Sequence, residues 1–252
     1  MSNIINHRTV SPGEWLIERK RLLAREKELT HLRDEVTRER RALPWVRIDK
    51  RYTFDTTEGE RHLADLFEGR RQLLVQHFML APGWEEGCSS CSYMADHTDG
   101  MLVHLAARDV AFAAISRAPL AEIESFRRRM GWKFKWVSSF GSEFNYDFQV
   151  SFTEKPKEQV YYNYATQPFE CEELPGISAF YKDAAGRVFH TYSTYRRGVE
   201  AMMGTYNLLD LTAKGRDETD GPMAWVRYHD RYETAPPTVA AAPADACCHS
   251  QT

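Results

Sequence analysis

The chain has 252 residues, 42% of them hydrophobic and 27% charged, and its 33 basic and 36 acidic residues leave a net charge of −3. That is enough chain to bury a core without disulfide staples, and the balanced charge argues against nucleic acid as a partner. The first residues carry no apolar run of signal-peptide length and no stretch approaches the length of a membrane span, so a cytoplasmic protein with no membrane partner is expected.

Residues 1–44 read as an N-terminal helical arm. Ser11-Pro12-Gly13-Glu14 offers a capping box with proline at the first helical position, opening a helix over 12–42. Trp15, Leu22, Leu29, Val36 and Leu43 recur every seven residues, with Leu16, Leu23 and Leu32 beside them and charges on the other faces. This stripe is one row wide, so a narrow seam is expected. The plain expectation is an arm lying on its own domain, and the sharper alternative is a homodimer contact through this helix.

Residues 45–233 read as one α/β domain. Alternating Val46, Ile48, Tyr52 and Phe54 suggest a half-buried strand, followed by a turn at Thr57-Glu58-Gly59 and a short helical turn closed by Gly69. Gln72–Leu80 is a nearly continuous apolar run, as in a central strand covered on both faces. Met94, Ala95, Thr98, Leu102 and Leu105 mark a helix weakened or kinked at Gly100. A second buried strand spans 110–115, a helix spans 119–130 and ends at Gly131, and a third strand spans 134–140. Residues 141–172 read as an irregular insertion with a strand near 160–164. Strands at 177–181 and 188–192 flank a hairpin turn at Asp183-Ala184-Ala185-Gly186, and a last helix follows over 199–209. Residues 234–252 lack a core pattern and are expected to be a disordered tail. Alternating strands and helices predict an α/β sheet with an antiparallel late hairpin, hence a mixed sheet.

The strongest local chemistry is Gly87-Cys88-Ser89-Ser90-Cys91, between a buried strand and a helix. The nucleophilic form of cysteine is the thiolate, and unpaired N–H groups at a helix N-terminus favour it at Cys88. Cys91, one helical turn deeper, is placed to attack a mixed disulfide formed at Cys88. Glu85 and Glu86 oppose the thiolate if their carboxylates face it. Five cysteines in all (Cys171, Cys247 and Cys248 are the others) are too few, and odd in number, for a secreted disulfide scaffold. The nearest further metal ligands, His97, His104, Cys171 and the terminal Cys247-Cys248-His249, do not repeat the CxxC spacing, so neither a metal nor another cofactor is expected. His77 reads as a satisfied core histidine or, alternatively, as a proton acceptor for Cys91. Trp84 reads as a wall of the site or as core packing.

Several long segments resemble a known family: LADLFEGRRQLLVQHFM, GCSSCSYMADHTDG, ISRAPLAEIESFRRRMGWKFKWVSSFGSEFNYDF, LPGISAFYKD and FHTYSTYRRGVEAMMGTYNLLDLTAKGRDE. They are similar to a bacterial family of thioredoxin-like proteins of uncharacterised function, described as predicted dithiol–disulfide oxidoreductases, over roughly 12–232. The resemblance implies a thioredoxin-like fold, thiol–disulfide exchange with Cys88 as nucleophile and Cys91 as resolving thiol, and a protein or small-molecule thiol or disulfide as partner. It also implies a proline, cis in such folds, set against the dithiol. Leu174-Pro175-Gly176 occupies that position, so Pro175, Leu174 and Trp84 are expected to bind substrate. The layout resembles peroxiredoxins as well, which makes a thiol peroxidase the alternative. Against it, Glu85 stands where a peroxiredoxin has Thr or Ser, and Leu174-Pro175 where it has an active-site Arg. A redox-inactive binding or structural protein is the third reading.

Overall fold

The computed structural model describes residues 7–153, 159–169 and 171–232. The tail expected at 234–252, with Cys247 and Cys248, lies outside them. Helix α1 runs from Pro12 to Ala42, 31 residues. Its capping box is complete: the Glu14 N–H donates to Ser11 Oγ at 3.3 Å and the Ser11 N–H donates to Glu14 Oε2 at 3.0 Å. No residue of α1 is buried. Among the described residues nothing buries any part of the arm, although near its C-terminal end Arg40 lies over the Tyr192 ring at 4.8 Å.

The main sheet has eight strands. In chain order they begin with β1 (Val46–Arg47), β2 (Thr53–Thr56), β3 (Gly59–His62), β4 (Gln72–His77), β5 (Val110–Ser116) and β6 (Lys135–Ser138). A separate small hairpin pairs β7 (Val160–Tyr162) with β8 (Ala165–Gln167), and β9 (Gly176–Lys182) and β10 (Val188–Tyr195) complete the main sheet. The spatial order is β1-β10-β9-β4-β5-β6-β2-β3. Strands β4, β5 and β6 are parallel, while β9 runs antiparallel to β4, and β10 to β9. The Thr57 turn proves to be the loop of the β2–β3 hairpin, and β2 joins β6 at a single residue pair, Asp55 with Ser138.

Helices cover the sheet: α2 (Ser89–Asp96), α3 (Leu102–Ala107), α4 (Leu120–Met130), α5 (Phe144–Asp147) and α6 (Gly204–Leu209). The helix expected through 94–105 is broken into α2 and α3 by a 3-10 turn at Asp99–Met101 that contains Gly100. The last helix is split likewise into a 3-10 segment, Arg196–Met202, and α6. This is the strand–CxxC–helix and mixed-sheet arrangement that a thioredoxin-like fold implies.

Two cores lie on opposite faces of the sheet. One gathers Phe54, Phe67, Val75, Phe144, Phe148 and Phe180. The other gathers Phe78, Cys91, Phe126, Trp132, Phe134 and Trp136. Side chains of β4 alternate between them, as strand geometry requires. Gln76 turns toward α2, its Nε2 donating to the Cys91 carbonyl at 3.1 Å. His77 turns to the other face, its ring stacked on Phe144 and Phe148 at centroid distances of 5.7 and 5.6 Å.

His77 heads a buried hydrogen-bonded chain across three strands. Its Nε2 lies 2.7 Å from Ser178 Oγ, which lies 2.7 Å from Ser193 Oγ, which lies 2.7 Å from His190 Nε2. Burial, with a smaller contribution from His190, pushes the His77 pKa down from 6.5 to about 3. The folded state therefore refuses a proton that the unfolded chain accepts, and stability falls as pH drops from about 6.5 toward 3. The limiting slope from this one group is about 1.4 kcal/mol per pH unit. His77→Gln should remove that component. Urea unfolding at several pH values between 3 and 7 checks it, and an unchanged pH dependence in the variant would refute the assignment.

Candidate dithiol site

The site forms where three strand ends meet. β4 and β5 are parallel and finish together, with His77 level with Ile115. β9 is antiparallel to β4 and begins there, with Gly176 level with His77. The chain beyond β4 stays tied to the chain beyond β5: the Phe78 N–H donates to the Ile115 carbonyl at 2.9 Å and the Ala118 N–H to the Leu80 carbonyl at 2.9 Å. The regular strand ends at His77, three residues short of the expected Leu80, while Phe78, Met79 and Leu80 remain buried.

From Ala81 the chain loops out and returns. The Cys88 N–H donates to the Met79 carbonyl at 3.0 Å, which folds the CxxC loop back onto the strand end. Gly87 makes this return possible. A Cβ there would lie 2.5 Å from Phe78 Cε1 and 3.0 Å from Phe126 Cε1, closer than carbon atoms tolerate. Cys88 is the N-cap residue of α2, and its carbonyl accepts the Ser92 N–H at 2.9 Å, the first bond of the helix. Its side chain is partly exposed, whereas Cys91 is 1% exposed and packed in the second core. Neither of these two cysteines is in a disulfide. No group of three or more His, Cys, Asp or Glu among those residues is arranged to hold a metal ion.

Glu85 is exposed, and Glu86 is bound by both Arg129 and Arg231. The opposition to the thiolate expected from Glu86 is thus offset by two guanidinium groups. Arg231 belongs to a C-terminal strap that crosses the loop. Within it the Tyr228 hydroxyl donates to the Gly87 carbonyl at 2.6 Å, Asp230 pairs with Arg129 at 2.9 Å, and His229 lies 2.7 Å from Asp96 of α2.

The expected site residues separate into two groups. Pro175 immediately precedes β9 and is half-buried, at the sheet edge from which the chain runs on to Cys88. Trp84 is half-buried in the loop leading to Cys88. Leu174 is only 3% exposed, packed with Val150, Tyr162 and Tyr195, so its side chain is not presented to a substrate. His77 is on the sheet face opposite α2, for the alternation reason given above, and is not placed to take a proton from Cys91. Cys171 is buried with Val160 and Tyr162 beside the 172–175 segment.

Sequence reasoning missed Arg117. It stands just past β5, and its guanidinium is divided among three partners. Nε donates to Glu173 at 2.6 Å, Nη2 to Glu172 at 3.1 Å and Nη1 to the Tyr146 hydroxyl at 3.1 Å. Glu172 also accepts the Trp84 indole N–H at 3.1 Å, and Glu173 accepts the Ser151 hydroxyl at 2.6 Å. The network links the loop before Cys88 to the segment before Pro175. Burial raises the Glu173 carboxyl to about 7, outweighing Arg117 and Ser151, which pull it down. The acidic run Glu170-Cys171-Glu172-Glu173 beside Pro175 was the available signal, since clustered carboxylates next to a buried segment need a cation.

Residues 4–232 match the family model described as "Bacterial protein of unknown function (DUF899)". The chain belongs to that family. No curated protein matches the chain in sequence. Among solved structures, this DUF899 member is similar to a cysteine-to-serine mutant of Xylella fastidiosa PrxQ, at 12% identity over 62% of this chain and 88% of that one, TM-score 0.38. It is similar to the peroxidoxin BcpB of Mycobacterium tuberculosis, at 13% identity over 62% and 93%, TM-score 0.38. A Bacteroides thetaiotaomicron protein provisionally assigned as a protein disulfide isomerase is similar at 16% identity over 69% and 96%, TM-score 0.37.

Because Glu173 is 2% and Arg117 16% exposed, removing the cation strands a buried carboxylate. Arg117→Met should cost about 3 kcal/mol, by the general behaviour of broken buried pairs. Adding Glu173→Gln should recover most of that loss. A double-mutant cycle by urea denaturation measures it, and additive effects would show that the two side chains are not coupled.

Proposed function

We propose that this protein is a thiol–disulfide oxidoreductase working through Cys88 and Cys91. The observation that carries the reading is the asymmetry of the pair: a partly exposed thiol at the N-cap of α2 and a buried one three residues on. The exposed thiol meets the substrate, and the buried one meets only what the first has captured.

In the reducing direction the Cys88 thiolate attacks one sulfur of a substrate disulfide. The substrate S–S bond breaks, its second sulfur leaves as a thiolate, and Cys88 is left in a mixed disulfide. The Cys91 thiolate then attacks the Cys88 sulfur and expels the remaining substrate sulfur. Two electrons and two protons pass to the substrate, which leaves as thiols, and the protein holds a Cys88–Cys91 disulfide. An external dithiol must reduce it for turnover. Partial positive charge at the start of α2 favours the thiolate at Cys88, by about 0.3–1 kcal/mol for an exposed group. Pro175 has no N–H to engage a neighbouring strand, which leaves an extended substrate chain free to bind beside the dithiol, with Trp84 as a wall. The substrate class is a protein or small-molecule disulfide. The three donor atoms of Arg117 are committed to Glu172, Glu173 and Tyr146, so it is not free to polarise a peroxide. That favours disulfide exchange over a peroxidase.

Cys88→Ser should abolish reduction of a model disulfide, while Cys91→Ser should accumulate mixed disulfides visible by mass spectrometry. Wild-type rates in Cys88→Ser would end this reading. Sluggish oxidation by micromolar peroxide is also expected, and rapid stoichiometric oxidation of Cys88 would promote the peroxidase.

A further inference from the structure

The most conspicuous unspent surface is α1. At 1.5 Å per residue its 31 residues extend about 46 Å, and none of them is buried. Trp15, Leu22, Leu29, Val36 and Leu43 are each 41–57% exposed. Most helical stability in proteins comes from packing an apolar face, and here that face is left uncovered by the described residues of its own chain.

The charges beside the row say what covers it. With Trp15, Leu22, Leu29 and Val36 at heptad position a, position g holds Glu14, Arg21, Glu28 and Glu35, and position e holds Arg19, Glu26, Arg33 and Arg40. In a parallel, in-register pair each g residue faces the e residue five positions on in the other copy. The four facing pairs are Glu14 with Arg19, Arg21 with Glu26, Glu28 with Arg33, and Glu35 with Arg40. Every one joins opposite charges. The d positions are Glu18, Arg25, Leu32 and Glu39. Glu18 is drawn to Arg21 at 3.0 Å and Arg25 to Glu28 at 3.2 Å, both within the helix and both toward the g flank. Their aliphatic stems can then line the seam while their charges stay at its edge. Glu39 is left as a polar layer that weakens the seam without breaking it.

The far end of the helix points the same way. Leu43, Trp45 and Val46 continue the exposed apolar surface off α1 onto β1, the edge strand of the sheet. A parallel pair brings both copies of this surface to one end, where an antiparallel pair would hold them a helix length apart. We infer that α1 is a dimerisation helix, and that two copies of this chain pair through a parallel, in-register seam of Trp15, Leu22, Leu29, Val36 and Leu43. The inference is independent of the dithiol chemistry.

Sedimentation equilibrium of the reduced full-length chain should show a reversible dimer. Glu28→Arg and Arg33→Glu should each weaken it at least fivefold, and the double variant should return to within about threefold of wild type. Both side chains are exposed, so circular dichroism should report an intact helix throughout. Under mild oxidation a Leu22→Cys variant should cross-link to a second copy of itself through the introduced thiols, mapped by mass spectrometry. Three outcomes would each overturn the proposal: a monomer at all concentrations, a double variant no better than the singles, or a Leu22→Cys chain that links only to a Glu39→Cys chain, as an antiparallel pair would.

Discussion

The antiparallel entry of β9 beside β4 is the constraint on which this molecule depends. A purely parallel sheet would bring only strand ends, and no strand beginnings, to the edge where Cys88 lies. Reversing one central strand brings the start of β9, with Pro175 and the carboxylates before it, to that same edge. The tight Asp183–Gly186 turn then returns the chain as β10: the Asp183 N–H donates to the Arg187 carbonyl at 3.0 Å, and Asp183 Oδ1 accepts the N–H groups of Ala185 and Arg187 at 2.9 Å each.

Around that edge the chemistry divides by depth. Backbone bonds from Cys88 to Met79 and from Ala118 to Leu80 fix the loops. Charged side chains then operate one layer out. Arg117 ties the Pro175 segment to Trp84, and Arg129 and Arg231 hold Glu86. Cys91 sits beneath both layers in an aromatic core.

Local patterns carried most of the architecture. The seven-residue row and the capping box located α1, the apolar runs located β4 and β5, and Asp183–Gly186 located the β9–β10 hairpin. The CxxC stood out as a thiol pair between a strand and a helix, and Pro175 through the resemblance to a known family. What escaped notice was set by contacts distant in sequence. Proximity to the dithiol in sequence suggests a role for His77 there, yet which face a strand residue takes depends on where the strand starts in the sheet, and a shift of one residue exchanges the faces. Leu174 reads as a surface residue because of its neighbour Pro175, but the Leu174 N–H bond to the Val150 carbonyl, at 2.8 Å, turns its side chain inward. Arg117 gave no local signal, because its partners lie 29 to 56 residues away. Nor could the heptad row reveal that the described residues of its own chain leave every residue of α1 unburied.

The strap that ends with Tyr228 and Arg231 follows, in chain order, everything it fastens. During synthesis the N-terminal portions of a chain emerge first and begin to organise before the rest is made. The loop bearing Cys88 can close onto Met79 early, but its Gly87 carbonyl and Glu86 carboxylate must wait for residues made 141 and 145 positions later. A nascent chain therefore carries its dithiol in a looser loop than the finished protein does. Premature termination upstream of Tyr228 would yield a product whose sheet is complete but whose thiols sit in that looser setting, open to oxidation before the loop is fastened.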